Sequence, residues 1–341
     1  MFTFTPMRNG FRRAAPFALI AAFGLAACGG GYSSSTPYGM STGSGPGSKA
    51  FAADSPHSTI GSLIDPNPGP GTIMVDRTIS GIYTQISNNI GSLALDTANN
   101  RLYVGNGMSI LVFNNASQAN GDPFVDRVIT NNPASGNTGS LFLDTVNNRL
   151  YVGDDVVGVR VFDNASGITG ATTSTRLING NFGGSFQIHG VAVDASKNIL
   201  YVSNTVGSTN QISVFDAANA VNGSSTVPNR TITPNPASGV GGIFLDPGHD
   251  RLYVAGGSSN TLVMVFDTAS TANGSTTPAK TMSFPSAITS VFVETVNDRL
   301  YAVSLGAIYI LSSASTASGT VTATAVLAPS GGSFTAVAVA P

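Results

Sequence analysis

Residues 93–129 read LALDTANNRLYVGNGMSILVFNNASQANGDPFVDRVI, and this stretch decides the fold. It contains three apolar runs of strand length and a fourth run that begins at Arg127. The first two runs are separated by the segment from Asp96 to Arg101, which is rich in residues that favour tight turns. Four short strands separated by turns predict one antiparallel sheet.

The pattern returns four more times, with the same order of runs and turns. The matching stretches are LFLDTVNNRLYVGDDVVGVRVFDNASG (141–167), VAVDASKNILYVSNTVGSTNQISVFDAANAVNG (191–223), IFLDPGHDRLYVAGGSSNTLVMVFDTASTANG (243–274) and VFVETVNDRLYAVSLGAIYILSS (291–313). The acidic residue that closes the first run recurs at spacings of 48, 50, 52 and 48 residues. A repeated four-stranded unit of about 50 residues is typical of the blade of a β-propeller, so the predicted fold class is all-β.

The two ends of the chain supply a sixth blade. Segment 334–341 matches a first strand, and segment 49–52 resembles the second strand of the other units. Segments 58–64 and 72–79 have the length and composition of the third and fourth strands. We expect a six-bladed β-propeller whose ring is closed by this composite blade, which leaves no open sheet edge. A seventh blade would need strands that the sequence does not show.

Part of the repeat has a recognisable pattern. The stretch from His189 to Asp216 contains HGVAVD, NILYVSN and ISVFD in that order. These motifs resemble those of NHL and YVTN-type propeller repeats, and the resemblance covers residues 49–341. It implies the propeller fold but leaves the function open, because such propellers include scaffolds, binding proteins, lyases and lactonases.

The N-terminus has the features of a secretory signal. Three arginines, Arg8, Arg12 and Arg13, precede a short apolar segment at 14–24. That segment is too short to span a bilayer, which needs about 20 residues. The sequence LAAC at 25–28 follows, and it resembles the bacterial lipobox.

The lipobox resemblance implies a lipoprotein signal peptide at 1–27 and a lipid-modified Cys28 as the first residue of the mature chain. The alternatives are a general secretory signal with a chance cysteine, or an uncleaved anchor. Gly29 stands where Asp is the usual signal for inner-membrane retention, which favours the outer membrane. Residues 28–48 are rich in Gly and Ser, and we expect them to form a flexible tether.

The composition narrows the function classes. Only 9% of the 341 residues are charged, 42% are hydrophobic, and the net charge is −2. This composition disfavours a helical bundle, and the lack of excess basic residues disfavours binding to nucleic acid. The single cysteine excludes an internal disulfide and a cysteine-based zinc site. We expect no metal and no cofactor.

Propeller sites usually lie at the channel mouth, where the first strands begin. The residues expected there are Ser92, Ser140, His189, Gly242, Ser290 and Thr335. None is acidic, which argues against the carboxylate ligands of a calcium site. A position deeper in the first strands holds either Ala or Phe, and we interpret its phenylalanines as core residues in contacts between blades. They are Phe142, Phe244 and Phe292.

Two features near the expected mouth are chemically distinctive. Asp154 and Asp155 are adjacent in a predicted loop, where they would bind a cation or assist acid–base chemistry, unless the loop is simply solvated. His189 is either a general base that titrates near neutral pH or a structural histidine. Arg160 interrupts an apolar third strand and is expected to pair with Asp154 or Asp155.

Five further residues are weaker candidates for a ligand-binding surface. His57 is expected in the mouth loop of the composite blade. The other four are aromatic residues in loops that precede first strands, namely Tyr83, Phe182, Phe186 and Phe284. They would line an apolar or sugar-binding mouth, and ordinary packing of the loops is the alternative.

Two functions of different classes follow. The first is a monomeric, membrane-anchored lipoprotein of the bacterial envelope that is not an enzyme. Its propeller would act as a scaffold or binding module for a protein, a glycan or a small ligand. The second is a lyase or lactonase-like hydrolase that uses His189 with Asp154 or Asp155. Convergence of these side chains on one cavity would favour the enzyme.

Overall fold

The computed structural model describes residues 50–63, 71–72, 75–132, 136–179, 186–257, 259–328 and 332–340. The predicted signal peptide, the predicted lipidation site Cys28 and the tether lie outside these residues. Within the described ranges, no helix is long and apolar enough to cross a lipid bilayer.

The described residues form short strands joined by turns, with 3₁₀ helices at Ile82–Thr84 and Ala116–Gln118. In chain order the strands are β1 (Ala50–Asp54), β2 (Thr59–Leu63), β3 (Gly71–Thr72), β4 (Arg77–Ile79), β5 (Ile90–Asp96), β6 (Arg101–Asn106), β7 (Ser109–Asn114), β8 (Arg127–Asn132), β9 (Thr138–Asp144), β10 (Arg149–Asp154), β11 (Gly158–Asp163), β12 (Gly170–Thr173), β13 (Arg176–Ile178), β14 (Phe186–Asp194), β15 (Ile199–Val206), β16 (Thr209–Asp216), β17 (Arg230–Pro234), β18 (Gly239–Asp246), β19 (Arg251–Gly257), β20 (Leu262–Asp267), β21 (Gly274–Thr276), β22 (Lys280–Ser283), β23 (Ile288–Glu294), β24 (Arg299–Ser304), β25 (Ile308–Ser312), β26 (Gly319–Thr320), β27 (Ala325–Leu327) and β28 (Phe334–Val339).

These strands form six sheets in a ring, so the predicted six-bladed β-propeller is confirmed. From the channel outward the blades are β28-β1-β2-β4 (blade 1), β5-β6-β7-β8 (blade 2), β9-β10-β11-β13 (blade 3), β14-β15-β16-β17 (blade 4), β18-β19-β20-β22 (blade 5) and β23-β24-β25-β27 (blade 6). The first strand of each blade contacts the first strands of both neighbours, and β28 of blade 1 contacts β5 and β23. The ring is therefore closed.

Blade 1 is the composite blade that the chain ends predict. Its first strand, β28, pairs antiparallel with β1, and Ala338 lies opposite Phe51. One boundary was predicted wrongly, because the fourth strand is only Arg77–Ile79. The earlier piece, Gly71–Thr72, pairs instead with β27 of blade 6, parallel to it.

This pairing is one of a set of contacts that join each blade to the next. The repeat pattern did not predict these contacts. The segment that precedes each fourth strand lies parallel to the fourth strand of the preceding blade. The pairs are β12 with β8, β21 with β17, β26 with β22 and β3 with β27, and single bridges join Ile79 to Gly121 and Ile178 to Gly223. The outer edge of each blade is thereby covered, which protects it from pairing with other chains.

Side chains strengthen this joint, which we call the interblade latch. In blade 3, an Arg176 terminal nitrogen donates to the carbonyl oxygen of Ala218 in blade 4 at 2.6 Å. The Leu177 N–H of the same strand donates to Oδ1 of Asn222 at 2.9 Å. The glycine after this asparagine, Gly223, has φ 97°, a conformation that favours glycine over residues with a Cβ. The repeated Arg and Asn-Gly residues are therefore contacts between blades.

The hairpin between the first two strands follows the predicted turn chemistry. Oδ1 of Asp96 accepts the Asn99 N–H at 3.1 Å, and Asn100 has φ 51°, which Asn tolerates better than most residues. In blade 6 the arginine that follows this turn pairs with the acid that opens it, Arg299 with Glu294. In blade 3, Arg149 instead pairs across the hairpin with Asp163 at 2.7 Å.

The core lies between neighbouring blades, in six apolar clusters. Each cluster combines side chains from two adjacent sheets; Phe113 of blade 2, for example, packs with Phe51 of blade 1. The tyrosine of each repeated L-Y-V strand is buried at 1% exposure or less. This alternation of sheets and apolar layers leaves one open space on the ring axis.

Candidate functional site

The open space is a cavity of about 500 Å³ in the central channel. First-strand residues of all six blades line it, and its side chains are mostly apolar. Among its described lining residues, His189 is the only one with a titratable side chain. The cavity therefore has an apolar wall and a single group that can change its charge.

Three phenylalanines at equivalent first-strand positions form part of this wall. Phe142, Phe244 and Phe292 each pack against a core cluster, as expected. Each is also only partly buried and lines the cavity, so the interpretation of these rings as purely core residues was incomplete. The rings of Phe244 and Phe292 are neighbours, with centroids 4.9 Å apart. They present an aromatic surface to whatever enters the channel.

A β-bulge near the start of each first strand decides what lies at the channel mouth. In each blade the pairing register shifts around one extra residue. The six extra residues are Gly91, Gly139, His189, Gly241, Thr289 and Thr335. Bulges change the direction of side chains, and blade 4 is the only blade with a large side chain at this repeated position.

The bulge corrects the set of mouth residues expected from the sequence. Gly190, not His189, is the counterpart of Ser92 and Ser140, because Gly190 pairs with Ser203 as Ser92 pairs with Gly105. His189 occupies the extra position and lines the cavity. His189 therefore lies at the channel entrance as predicted. It lies there because it is the bulge residue, which the repeat alignment did not show.

Hydrogen bonds fix the state of the His189 ring. Its Nε2 lies 2.9 Å from Oγ1 of Thr205, and this hydroxyl donates to Oδ1 of Asn210 at 2.8 Å. Because the hydroxyl proton is used on Asn210, Oγ1 accepts from Nε2–H. The proton of the neutral ring is therefore on Nε2. Nδ1 carries a lone pair and has no hydrogen-bond partner among the described residues.

Electrostatics keep this ring neutral. Burial lowers the pKa of His189 below its ordinary value, and the negative charge of Asp155 opposes this effect without cancelling it. Asp155 itself is exposed and accepts the Ile188 N–H at 2.9 Å. At neutral pH the mouth therefore presents a hydrogen-bond acceptor and not a cation.

Blade 4 extends further at the mouth than the blades beside it. Its strand β14 has nine residues, and its hairpin partners β15 and β16 have eight each. The pairing continues outward to Phe186 opposite Val206 and to Val206 opposite Thr209. This longer hairpin carries Thr205 and Asn210, so it supports His189 from above the bulge.

Asp154 has a structural environment, away from the cavity. Its Oδ2 lies 3.2 Å from Nε of Arg160, which is the ion pair expected for this arginine, and both side chains are buried. Its Oδ1 accepts the N–H groups of Val156 and Val157 at 2.9 and 3.1 Å. Neither Asp154 nor Asp155 lines the cavity.

The weaker candidates are scattered. His57 lies in the expected loop, with Nδ1 2.8 Å from Asp54. Tyr83 is exposed and stacks on Phe124 at 4.5 Å. Phe186 begins β14 and packs against the core, and Phe284 is 4% exposed inside the cluster between blades 5 and 6. Phe182 lies outside the described residues.

Across the part of the chain that the structure describes, no group of three His, Cys, Asp or Glu side chains is close enough to hold a metal ion.

Sequence reasoning missed Thr205 and Asn210. Their signal was the longer segment between the second and third strands of blade 4: Phe215 follows its partner Leu200 by 15 residues, whereas Phe113 follows its partner Leu102 by 11.

Comparison with known proteins supports the fold. No family model matches the sequence. None of the curated proteins compared with it matches either. A chain in the crystal structure of a nidogen/laminin complex is similar, with a TM-score of 0.58 and 14% identity over 86% of this chain and 99% of that one. Because 912 chains of solved structures match and identity here is low, the likeness shows the propeller fold alone.

Proposed function

We propose that this protein is a lipoprotein of the bacterial envelope whose propeller is a binding module with its site in the central channel. The observation that carries the binding role is the cavity of about 500 Å³, lined by first strands of every blade. Small-molecule sites are typically apolar clefts of roughly 300–1,000 Å³ with a few polar groups. This cavity, with its aromatic wall and one histidine, matches that description.

The membrane role rests on the N-terminal sequence. The arginines, the apolar segment and LAAC at 25–28 support cleavage before Cys28 and lipid attachment to its thiol. Each buried methylene contributes about 0.8 kcal/mol, so two or more chains give a stable anchor. Gly29 supports the outer membrane as the destination, and residues 29–48 would connect the lipid to the ring.

A binding role has more support than the alternative lyase or hydrolase role. That chemistry was expected to use His189 with Asp154 or Asp155. Asp154 is buried against Arg160, and neither acid lines the cavity. The similar chain found in a nidogen/laminin complex illustrates that a propeller of this kind occurs in a protein complex.

The anchor is tested by membrane fractionation of cells that express the full chain. Cys28→Ser should move the protein from the membrane to the soluble fraction and abolish its labelling by a palmitate analogue. A matched control, Cys28→Ser combined with Ser33→Cys, restores one thiol outside the lipobox and should remain unlabelled. Membrane retention and labelling of Cys28→Ser would contradict the anchor.

The binding role is tested by native mass spectrometry of the protein extracted from membranes. We expect a bound small molecule at one copy per chain. Ala192→Phe fills the channel with the side chain that blades 3, 5 and 6 already carry at the equivalent position, and it should remove the adduct. The same adduct on both proteins, or no adduct on either, would contradict a channel site.

A further inference from the structure

The histidine at the mouth accepts a hydrogen bond from a defined direction. Thr205 and Asn210 hold the His189 proton on Nε2, which leaves the Nδ1 lone pair available to a ligand. A neutral imidazole held in this way accepts a hydrogen bond and cannot donate one from Nδ1. A molecule bound beside it would need an O–H or N–H group.

The wall below the mouth selects by charge. Phe142, Phe244 and Phe292 line it, and none of the described lining residues is Lys, Arg, Asp or Glu. An ion that left water for this space would lose its hydration without gaining a partner, which is strongly unfavourable. The wall therefore favours uncharged molecules, and its rings favour flat or aromatic ones.

We propose that the channel binds an uncharged organic molecule whose ring system packs on the phenylalanine wall and whose hydroxyl group donates a hydrogen bond to Nδ1 of His189. This inference rests on the proposed channel-binding function and names its ligand class. The size of the cavity, about 500 Å³, accommodates two or three fused rings.

Three probes with the same ring system separate the contributions of the ring, the hydroxyl group and the charge to binding. 2-Naphthol has the ring and a hydroxyl donor, 2-methylnaphthalene has the ring alone, and 2-naphthoate has the ring and a negative charge. Binding is measured by titration of the full chain in lipid nanodiscs at pH 7.5, with empty nanodiscs as the blank. We expect 2-naphthol to bind about two- to tenfold more tightly than 2-methylnaphthalene, which is the value of one hydrogen bond. 2-Naphthoate should not bind measurably.

Two variants assign the effect to residues. His189→Gln retains an amide N–H that can donate to Thr205, and its carbonyl oxygen is then directed away from the position of Nδ1, so that position has no acceptor. The variant should therefore lose the preference for 2-naphthol while binding 2-methylnaphthalene as before. Phe244→Leu keeps the wall apolar and removes one ring, so it should weaken both neutral probes by the same factor.

Several outcomes would overturn the inference. They are equal affinities for 2-naphthol and 2-methylnaphthalene, tighter binding of 2-naphthoate, an unchanged preference in His189→Gln, or no binding of any probe to folded protein. None of these results would affect the adduct lost in Ala192→Phe or the release of Cys28→Ser from membranes. Failure of the ligand class and failure of the proposed function are thus distinguishable.

Discussion

Nε of Arg160 lies 3.2 Å from Oδ2 of Asp154, and the two side chains are 2% and 0% exposed. Two opposite charges are thus held inside blade 3, between the second and third strands. Asp154 also accepts two backbone N–H groups, which ties the loop that follows β10 to the same carboxylate. The adjacent acids that suggested chemistry at the mouth have separate environments, one buried and one exposed.

Removal of this arginine should destabilise the propeller strongly. Arg160→Ala leaves the Asp154 carboxylate buried without its cation, and loss of one partner of a buried pair costs about 3–5 kcal/mol. Urea denaturation followed by circular dichroism measures the free energy of unfolding. The control is Arg149→Ala, because its pair with Asp163 is partly exposed and should contribute about 0–1 kcal/mol. Equal losses in the two variants would contradict a structural role for the buried pair.

The interblade latch makes a separate prediction. Arg176→Met keeps the apolar stem but removes the guanidinium that binds the carbonyl oxygen of Ala218. An unsatisfied buried polar group costs about 1–3 kcal/mol, so the melting temperature should fall. Arg101→Met is the matched control, since no side-chain hydrogen bond or ion pair of this arginine is found among the described residues, and it should change stability by less than about 0.5 kcal/mol. Equal changes in melting temperature for Arg176→Met and Arg101→Met would contradict this role.

Closure of the ring depends on the last strand. A chain that ends at Ser333 lacks β28, which carries the buried side chains of Phe334, Val337 and Val339. Full burial of each such side chain contributes about 1.5–3 kcal/mol, so their combined loss is comparable to the whole stability of a domain. We expect no cooperative thermal transition. A chain that ends at Val339 retains the strand and should melt like the full chain; similar melting of the shorter chain would contradict the composite blade.

His189 should make stability depend on pH. Its pKa is lowered in the folded state, so the unfolded chain binds a proton more readily, and stability falls as the pH decreases from about 6.5 through the folded pKa. Asp155 faces the ring from blade 3 and opposes this effect, while Thr205 and Asn210 are uncharged. Urea denaturation at pH 7.5 and 5.5 should show a larger loss in the unmodified protein than in His189→Gln. The same pH dependence in both proteins would rule out this contribution.

Local patterns were sufficient for the architecture. The repeated D-x-x-N-N-R turn and the apolar runs beside it predict four strands per unit, because turn chemistry and strand alternation are properties of neighbouring residues. The blade count followed because segment 334–341 matches a first strand that the N-terminal segments lack. The repeated hairpin and the first strand that the N-terminal segments lack can both be recognised from the sequence.

The site needed contacts between distant segments. The one-residue bulge that aims His189 into the channel has the same spacing in every blade, so only the strand pairing shows that His189 is the extra residue. Thr205 reaches the ring, and Asn210 reaches Thr205, because the blade 4 hairpin is longer than its neighbours. Arg176 and Asn222 lie 46 residues apart in sequence and act on adjacent blades.

The sequence by itself determined the low charge and the lone cysteine. It also predicted the lipoprotein signal at residues 1–28 and the six blades. The tertiary structure alone decided that Arg160 pairs with Asp154 and not Asp155, that three phenylalanines face an open cavity, and that His189 presents a free Nδ1. The physical reason is that strand formation is local, whereas burial, ion pairing and the choice of a histidine tautomer depend on which blades the closed ring brings together.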